Sequence, residues 1–205
     1  MSEIFDLEKY ITDQLKDCSI NTSISNNNLF LKCNKRDLIN VINFLKNDKK
    51  TSFSQLIDIT AVDHINNDKR FEVIYILLSI EFNYRIIIKI FISEDESVPS
   101  ISDIYKSSNW YERECYDLFG IIFTNHPDLR RIMMDYNFVG HPLRKDFPLT
   151  GHTEVRYDDL QKKVIYETVK LDQDYRNFDF TSPWEGFKDN LNEMKKIQKA
   201  DNDKK

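Results

Sequence analysis

Apolar residues recur at helical spacing near the start of the chain. Ile4, Leu7, Ile11 and Leu15 share one stripe and predict a helix over residues 3–17. Leu29 to Cys33 reads as a short strand. Asn34 then suits an N-cap, and Leu38, Val41, Ile42 and Leu45 follow at i, i+3, i+4 and i+7, which predicts a second helix. Three strands come next. In Gln55–Val62, strict alternation puts Ile57, Ile59 and Ala61 on one face. Phe71–Ile80 is apolar on both faces, as a central strand would be. Tyr84–Ile92 sets Ile86, Ile88, Ile90 and Ile92 against Arg85 and Lys89. Glu81-Phe82-Asn83 is short enough to join the last two as an antiparallel hairpin.

An acidic loop, Glu94-Asp95-Glu96, leads to Pro99 and a short helical stretch ending at Lys106. Asn109-Trp110-Tyr111-Glu112 has the form of a capping box. Tyr111, Cys115, Leu118 and Phe119 continue it as an apolar stripe, and Gly120 supplies the stop. From His126 to Ser182 helical periodicity fades. Pro127, Gly140, Pro142, Pro148 and Gly151 punctuate this stretch, with one candidate hairpin formed by Val155–Tyr157 and Lys163–Leu171. Ser182-Pro183-Trp184-Glu185 opens a last helix, which frays into the charged tail Lys195–Lys205.

The pattern predicts an α+β domain over residues 1–125, a small mixed or antiparallel sheet with helices mostly on one face. Residues 126–205 are expected to form a long extended C-terminal arm with a small hairpin and a terminal helix. A loop-rich stretch of that length needs a surface to lie on, and the surface of a partner protein is the simplest.

Composition narrows the function. The 205 residues carry 29 Lys plus Arg against 34 Asp plus Glu, a formal charge of -5. That balance argues against a general nucleic-acid surface. With 4 glycines there is no GxGxxG or GxxxxGK[ST] fingerprint. Cys18, Cys33 and Cys115 are odd in number and scattered, so neither a disulfide framework nor a cluster normally held by four thiolates is expected. His64, His126, His141 and His152 lack metal-ligand spacing. The N-terminus has no apolar leader, and the greasiest stretch, Phe71–Ile92, is broken by five polar or charged residues (Glu72, Glu81, Asn83, Arg85 and Lys89). Any membrane link is expected to run through partners.

By residue chemistry alone, Glu112, Glu114 and Asp117 form a carboxylate cluster. On a helix, positions 112 and 114 point about 200° apart and cannot converge on one ion. Arg113 and Asp117 are four apart and can pair. An ion-pair-laced helix surface and an ion-pair network between subunits both fit. His126 and His141 precede prolines, so hydrogen bonding that positions a loop is expected of them. Arg130, Arg131, Arg144 and Lys145 bracket the loop-rich part, where Asp128, Asp135 and Asp146 offset most of their charge. Arg forks onto partner carboxylates or carbonyls fit better than an anion or RNA site. Phe147 and Trp184 are candidate interface anchors. A reading of a different class is a stand-alone acid–base or metal-dependent hydrolase built on Asp63, His64 and the Glu112 cluster, for which no motif places a nucleophile.

Two runs carry a resemblance. The first is Glu112-Arg113-Glu114-Cys115-Tyr116-Asp117-Leu118-Phe119-Gly120-Ile121, continuing to His126-Pro127-Asp128-Leu129-Arg130-Arg131-Ile132-Met133. The second is Asp135-Tyr136 followed by Gly140-His141-Pro142-Leu143-Arg144-Lys145-Asp146-Phe147-Pro148-Leu149-Thr150-Gly151. They resemble the C subunit of the proton-pumping NADH:quinone oxidoreductase, respiratory complex I. That family's pattern runs E-R-E, two residues, an acid, two apolar residues, six residues, then His or Lys. A basic residue or Pro follows four positions later, and two apolar positions close it. Asp117, Leu118, Phe119, His126, Arg130, Ile132 and Met133 stand in those places. Similarity extends through Asp58–Asp63, Arg70-Phe71-Glu72-Val73, Phe178-Asp179-Phe180 and Ser182–Glu185.

The resemblance implies an accessory, non-redox subunit of the peripheral arm, with flavin and iron–sulfur clusters on partner chains and no catalytic residue of its own. It implies packing against the hydrogenase-large-chain-like D subunit, near the ferredoxin-like subunit and the quinone site. The place implied is the cytoplasmic face of a bacterial inner membrane, or the matrix side in an organelle. Matching subunits of membrane-bound hydrogenases, of dehydrogenases with other donors and of the ferredoxin-fed photosynthetic relative are the near alternatives.

Overall fold

The computed structural model describes residues 2–171 and 173, with side chains from Ile4 onward. The chain divides into two compact units, Met1–Glu167 and Thr168–Lys205. The second falls almost wholly outside the described residues, and with it the helix expected from Ser182 and the candidate anchor Trp184.

The first unit is α+β. A five-stranded mixed sheet has the order β1-β2-β5-β4-β3, where β1 is Ile20–Ser25, β2 Asn28–Cys33, β3 Gln55–Asp63, β4 Phe71–Ser79 and β5 Tyr84–Ile92. Only β2–β5 is parallel; the other pairs are antiparallel. The sequence pattern does not predict β1, because its run Ile-Asn-Thr-Ser-Ile-Ser offers no apolar face longer than two residues. The turn that makes it is Asn26-Asn27, with φ of 49° and 60°, positive at both central positions as a tight hairpin requires.

The register explains the core. Leu31, Ile88, Tyr75 and Ile59 are cross-strand neighbours in one row, and all are buried. Ile86, Ile90, Ile92, Val73 and Leu77 extend that face. Against it pack α1 (Ser2–Gln14), through Ile4, Leu7 and Ile11, and α2 (Leu38–Asn47), through Leu38, Val41, Ile42 and Leu45. Burial of these side chains, at about 25 cal/mol per Å², is what stabilises the domain.

Three local expectations are corrected. Asn34 does not cap α2; the cap position is Asp37, and its carboxylate accepts the Ser19 N–H (3.1 Å). Ile57 does not join Ile59 in the core. A bulge between Leu56 and Asp58 breaks the alternation, so Leu56 is buried while Ile57 is 36% exposed. Asn109-Trp110-Tyr111-Glu112 does not act as a capping box. The helix here, α3, runs Ser108–Phe119, makes no side-chain cap, and turns Glu112 inward.

α3 packs on β3, where the Cys115 thiol meets the Ile59 carbonyl (3.3 Å). It ends at Gly120, whose φ of 82° closes the helix through its N–H to the Tyr116 carbonyl. The two-residue strands β6 (Val98–Pro99) and β7 (Phe123–Thr124) pair in parallel. β8 (Thr153–Asp158) and β9 (Lys163–Thr168) form the expected hairpin.

Candidate functional site

α3 carries two carboxylates that are completely buried, Glu112 and Asp117. Asp117 organises the segment that follows. One oxygen takes the Arg131 guanidinium at 2.6 Å. The other accepts three successive backbone N–H groups, from Ile132 (3.0 Å), Met133 (2.7 Å) and Met134 (2.8 Å). Successive N–H groups aimed at one point make an anion nest. Burial alone would raise this carboxyl; the Met134 and Met133 amides, Arg131 and the Ile132 amide outweigh it and hold the group below the ordinary range. Asp117 is therefore an ionised staple with no proton to give.

The rest of the turn closes around the same helix. Arg131 also donates to the Gly140 carbonyl (2.9 Å), and His141 Nδ1 donates to the Asp117 carbonyl (2.9 Å). The Leu143 N–H reaches the Leu118 carbonyl (3.0 Å). Arg113 does not pair with Asp117, contrary to what their four-residue spacing predicts. Its guanidinium donates to the Arg130 and Arg131 carbonyls (both 3.1 Å), so Arg113 and Asp117 grip the same returning segment from one side of the helix. Gly120 belongs to this assembly twice over. Its φ is positive, and a Cβ there would lie 2.8 Å from the His141 ring. Gly140, φ 98°, would likewise set a Cβ 2.8 Å from Phe147. Phe147 in turn packs on Phe138 and His152, with ring centroids 5.7 and 5.4 Å away.

A second ion-pair cluster holds the next residues. Arg70 forks onto Asp63 through two 2.8 Å bonds and also meets Glu94 (3.1 Å) and Asp146 (3.0 Å). Arg144 bonds Glu94 and lies 3.5 Å from Asp146, and the Lys145 N–H donates to Asp63 (2.7 Å). Arg70 is the main reason that Asp63 and Asp146 sit below the usual carboxylate range. The Asp63-His64 dyad does not form: His64 pairs with Glu72 (2.8 Å), which also holds Lys89 (2.7 Å). Adjacent residues on a strand point to opposite faces, which is why the two part.

The remaining candidates take minor places. Arg130 makes an exposed pair with Asp128 (2.9 Å). Glu114 has no hydrogen bond or ion pair among the described residues. His126 Nδ1 accepts the Asp128 N–H (3.0 Å), so its ring proton sits on Nε2 and is donated to the Asn109 carbonyl (3.0 Å). It positions the loop. The pairing of Arg70 with Asp63 and Glu94 was not expected, because these residues join across strand ends. The one legible hint was that a β3–β4 hairpin puts Asp63 opposite Phe71, next to Arg70.

Both clusters lie within the stretch that a family model matches. The family model for the respiratory-chain NADH dehydrogenase 30 kDa subunit matches residues 31–153. The chain belongs to that family. The C subunit of NADH-quinone oxidoreductase from Roseobacter denitrificans is 51% identical over 91% of this chain and 94% of its own length. The protein of the same name in Cereibacter sphaeroides is 57% identical, over 73% of this chain and 74% of its own length. A chain in the structure of the membrane-bound sulfane sulfur reductase, an archaeal respiratory membrane complex, shares the fold. There the TM-score is 0.62 at 23% identity, covering 70% of this chain and 85% of that one. Within the acidic run of α3, Asp117 is the residue that holds the backbone of the returning segment. Among the described residues no group of His, Cys, Asp and Glu is placed to hold a metal ion.

Proposed function

We propose that the chain serves as the accessory, non-redox C subunit in the peripheral arm of NADH:quinone oxidoreductase. It supports assembly and the quinone-site region, while the flavin, the clusters and the chemistry of NADH oxidation, quinone reduction and proton translocation belong to partner chains. The hydrogenase-large-chain-like subunit is the main partner and the ferredoxin-like subunit a neighbour. The chain sits peripherally on the cytoplasmic face of the membrane. In keeping with this, no helix among the described residues is long and apolar enough to cross one.

The observation that carries the reading is what the signature does. Asp117, Arg131, Arg113 and His141 spend their hydrogen bonds on fixing one loop-rich segment in one shape. That segment presents Met133, Tyr136, Val139, Leu143 and Leu149, each about half exposed or more. A chain that fixes an irregular, apolar surface so firmly is built to be recognised. Arg144, Lys145 and Phe147 border it, and Trp184 belongs to the same role. Against the hydrolase alternative stands the engagement of both Asp63 oxygens by Arg70 and of His64 by Glu72.

The test is deletion of the gene with blue-native analysis of gently solubilised membranes, mass spectrometry of partners captured on the tagged chain, and NADH:quinone activity. Loss of the assembled complex and of activity, both restored by the wild-type chain, is expected. A complex that assembles and reduces quinone fully without this chain refutes the reading.

A further inference from the structure

The other buried carboxylate of α3, Glu112, is placed unlike Asp117. No lysine or arginine lies within ion-pair distance among the described residues. The nearest cationic candidate is His126, whose Nε2 is 3.9 Å away, and its proton is already given to the Asn109 carbonyl. Glu112 accepts the Ile101 N–H (2.8 Å) through one oxygen and sits 2.6 Å from Ser100 Oγ through the other. Ser100 Oγ is also 2.9 Å from Ser102 Oγ and accepts the Ser102 N–H (3.1 Å). Tyr75 of β4 and Cys115 of α3 both feel the charge of Glu112, and neither carries a positive charge to offset it. Ser108 adds a weaker stabilising influence without a bond of ordinary geometry.

A serine hydroxyl has one proton, so Ser100 cannot donate to Glu112 and to Ser102 at once. Two arrangements keep both side-chain contacts of Ser100. With Glu112 ionised, Ser100 donates to it and Ser102 donates to Ser100. With Glu112 protonated, its O–H donates to Ser100, and Ser100 donates to Ser102. Adding one proton from water to the carboxylate reverses the two hydroxyls and breaks no hydrogen bond. Ser100 is only half-buried, which gives the proton a way in.

We infer that Glu112 with the Ser100–Ser102 hydroxyl pair is an internal proton-binding site of the folded subunit. Burial pushes the Glu112 carboxyl up to about 7, against the pull of the Ser100 hydroxyl and the Ile101 amide. Emptying the site leaves an uncompensated charge where α3, the 100–102 turn and the His126 loop meet. The inference stands on this chain alone and does not depend on the enzyme the chain serves.

The test is a carbon-13 NMR titration of the glutamate-labelled full chain. One carboxyl should titrate near pH 7, well above the others. It should be absent in Glu112→Gln, whose amide imitates the protonated acid by accepting from Ile101 and donating to Ser100. In Ser100→Ala, which removes a donor to the ionised form, it should titrate higher still. If all glutamates finish in the ordinary range, or the late one survives in Glu112→Gln, the site is wrong. If the late titration does not rise in Ser100→Ala, the hydroxyl relay is wrong. Should Glu112→Gln fail to fold, the wild-type and Ser100→Ala titrations still decide.

Discussion

Replacing Asp117 tests whether the signature holds backbone rather than doing chemistry. Asp117→Ala strips four donors of their acceptor: the Arg131 guanidinium and the amides of Ile132, Met133 and Met134. The Arg131 side chain is 18% exposed, so water rescues little of the loss. Removing one member of a buried pair costs about 3–5 kcal/mol. Asp117→Asn can keep its carbonyl toward the three amides but turns an NH₂ toward Arg131. It should cost less, about 2–3 kcal/mol, the worth of one charged hydrogen bond with a donor–donor clash added. Pairing Arg131→Met with Asp117→Asn should recover part of the loss, a coupling of about 1–3 kcal/mol. Urea unfolding of the full chain measures all of these, and the melting point should fall by about 2–4 °C per kcal/mol for a chain of this size. Hydrogen exchange supplies the local readout: the amides of residues 132–134 should lose protection first. If Asp117→Ala changes stability by less than about 0.5 kcal/mol, the value of an ordinary surface change, and those amides stay protected, the staple is not one.

Arg70→Lys keeps the charge but loses the planar fork, and one ammonium cannot serve Asp63, Glu94 and Asp146 together; a loss of about 2 kcal/mol in urea unfolding is expected, with Lys145 losing amide protection. Gly120→Ala combines a φ of 82° with a contact at 2.8 Å to His141 and should cost at least about 1 kcal/mol, whereas His141→Ala in the same background should return only the steric share. Stability should also fall at both ends of the pH range. Asp63, Asp117 and Asp146 have depressed folded values, so their contribution is complete above about 3.9 and lost as pH falls below it. Glu112 has a raised folded value, so its contribution is complete at low pH and lost as pH rises through about 7. A melting curve with its maximum on the acid side of neutrality is the expected outcome, and a profile still rising at pH 8 contradicts it.

The parts of the fold legible in the sequence are those governed by short periods. The four isoleucines of β5 alternate because one face is core, and the stripes of α1 and α2 repeat because one side of each helix is core. What broke the pattern was invisible in it. A bulge at Leu56 costs no residue that looks unusual, and β1 forms because Asn26 and Asn27 tolerate positive φ, not because its side chains alternate strongly. The capping-box motif misled for a related reason. It describes what Glu112 could do for the first turn of an isolated helix. In the folded chain the Ile101 amide and the Ser100 hydroxyl offer the carboxylate partners that the helix start does not.

The same limit applies to the site, and it explains why one helix carries two buried acids with opposite fates. Residues 112 and 117 are five apart, so they point away from each other by about 140° and meet different segments of chain. Asp117 meets Arg131 and a run of three amides, all donors, and a carboxylate surrounded by donors stays ionised. Glu112 meets one amide and hydroxyls that can donate or accept, so nothing there insists on a charge. The acids, their spacing and Arg131 are all readable from the sequence. Which acid faces which donors is not, because it depends on where residues 100–102 and 131–134 return to the helix through loop, strand and turn. The later of those returns is set by Gly120 and Gly140, whose backbone angles bring His141 and Phe147 down onto the helix end and the turn beside it. The chemistry of the signature therefore resides less in its acids than in the glycines and amides that decide how each acid is met.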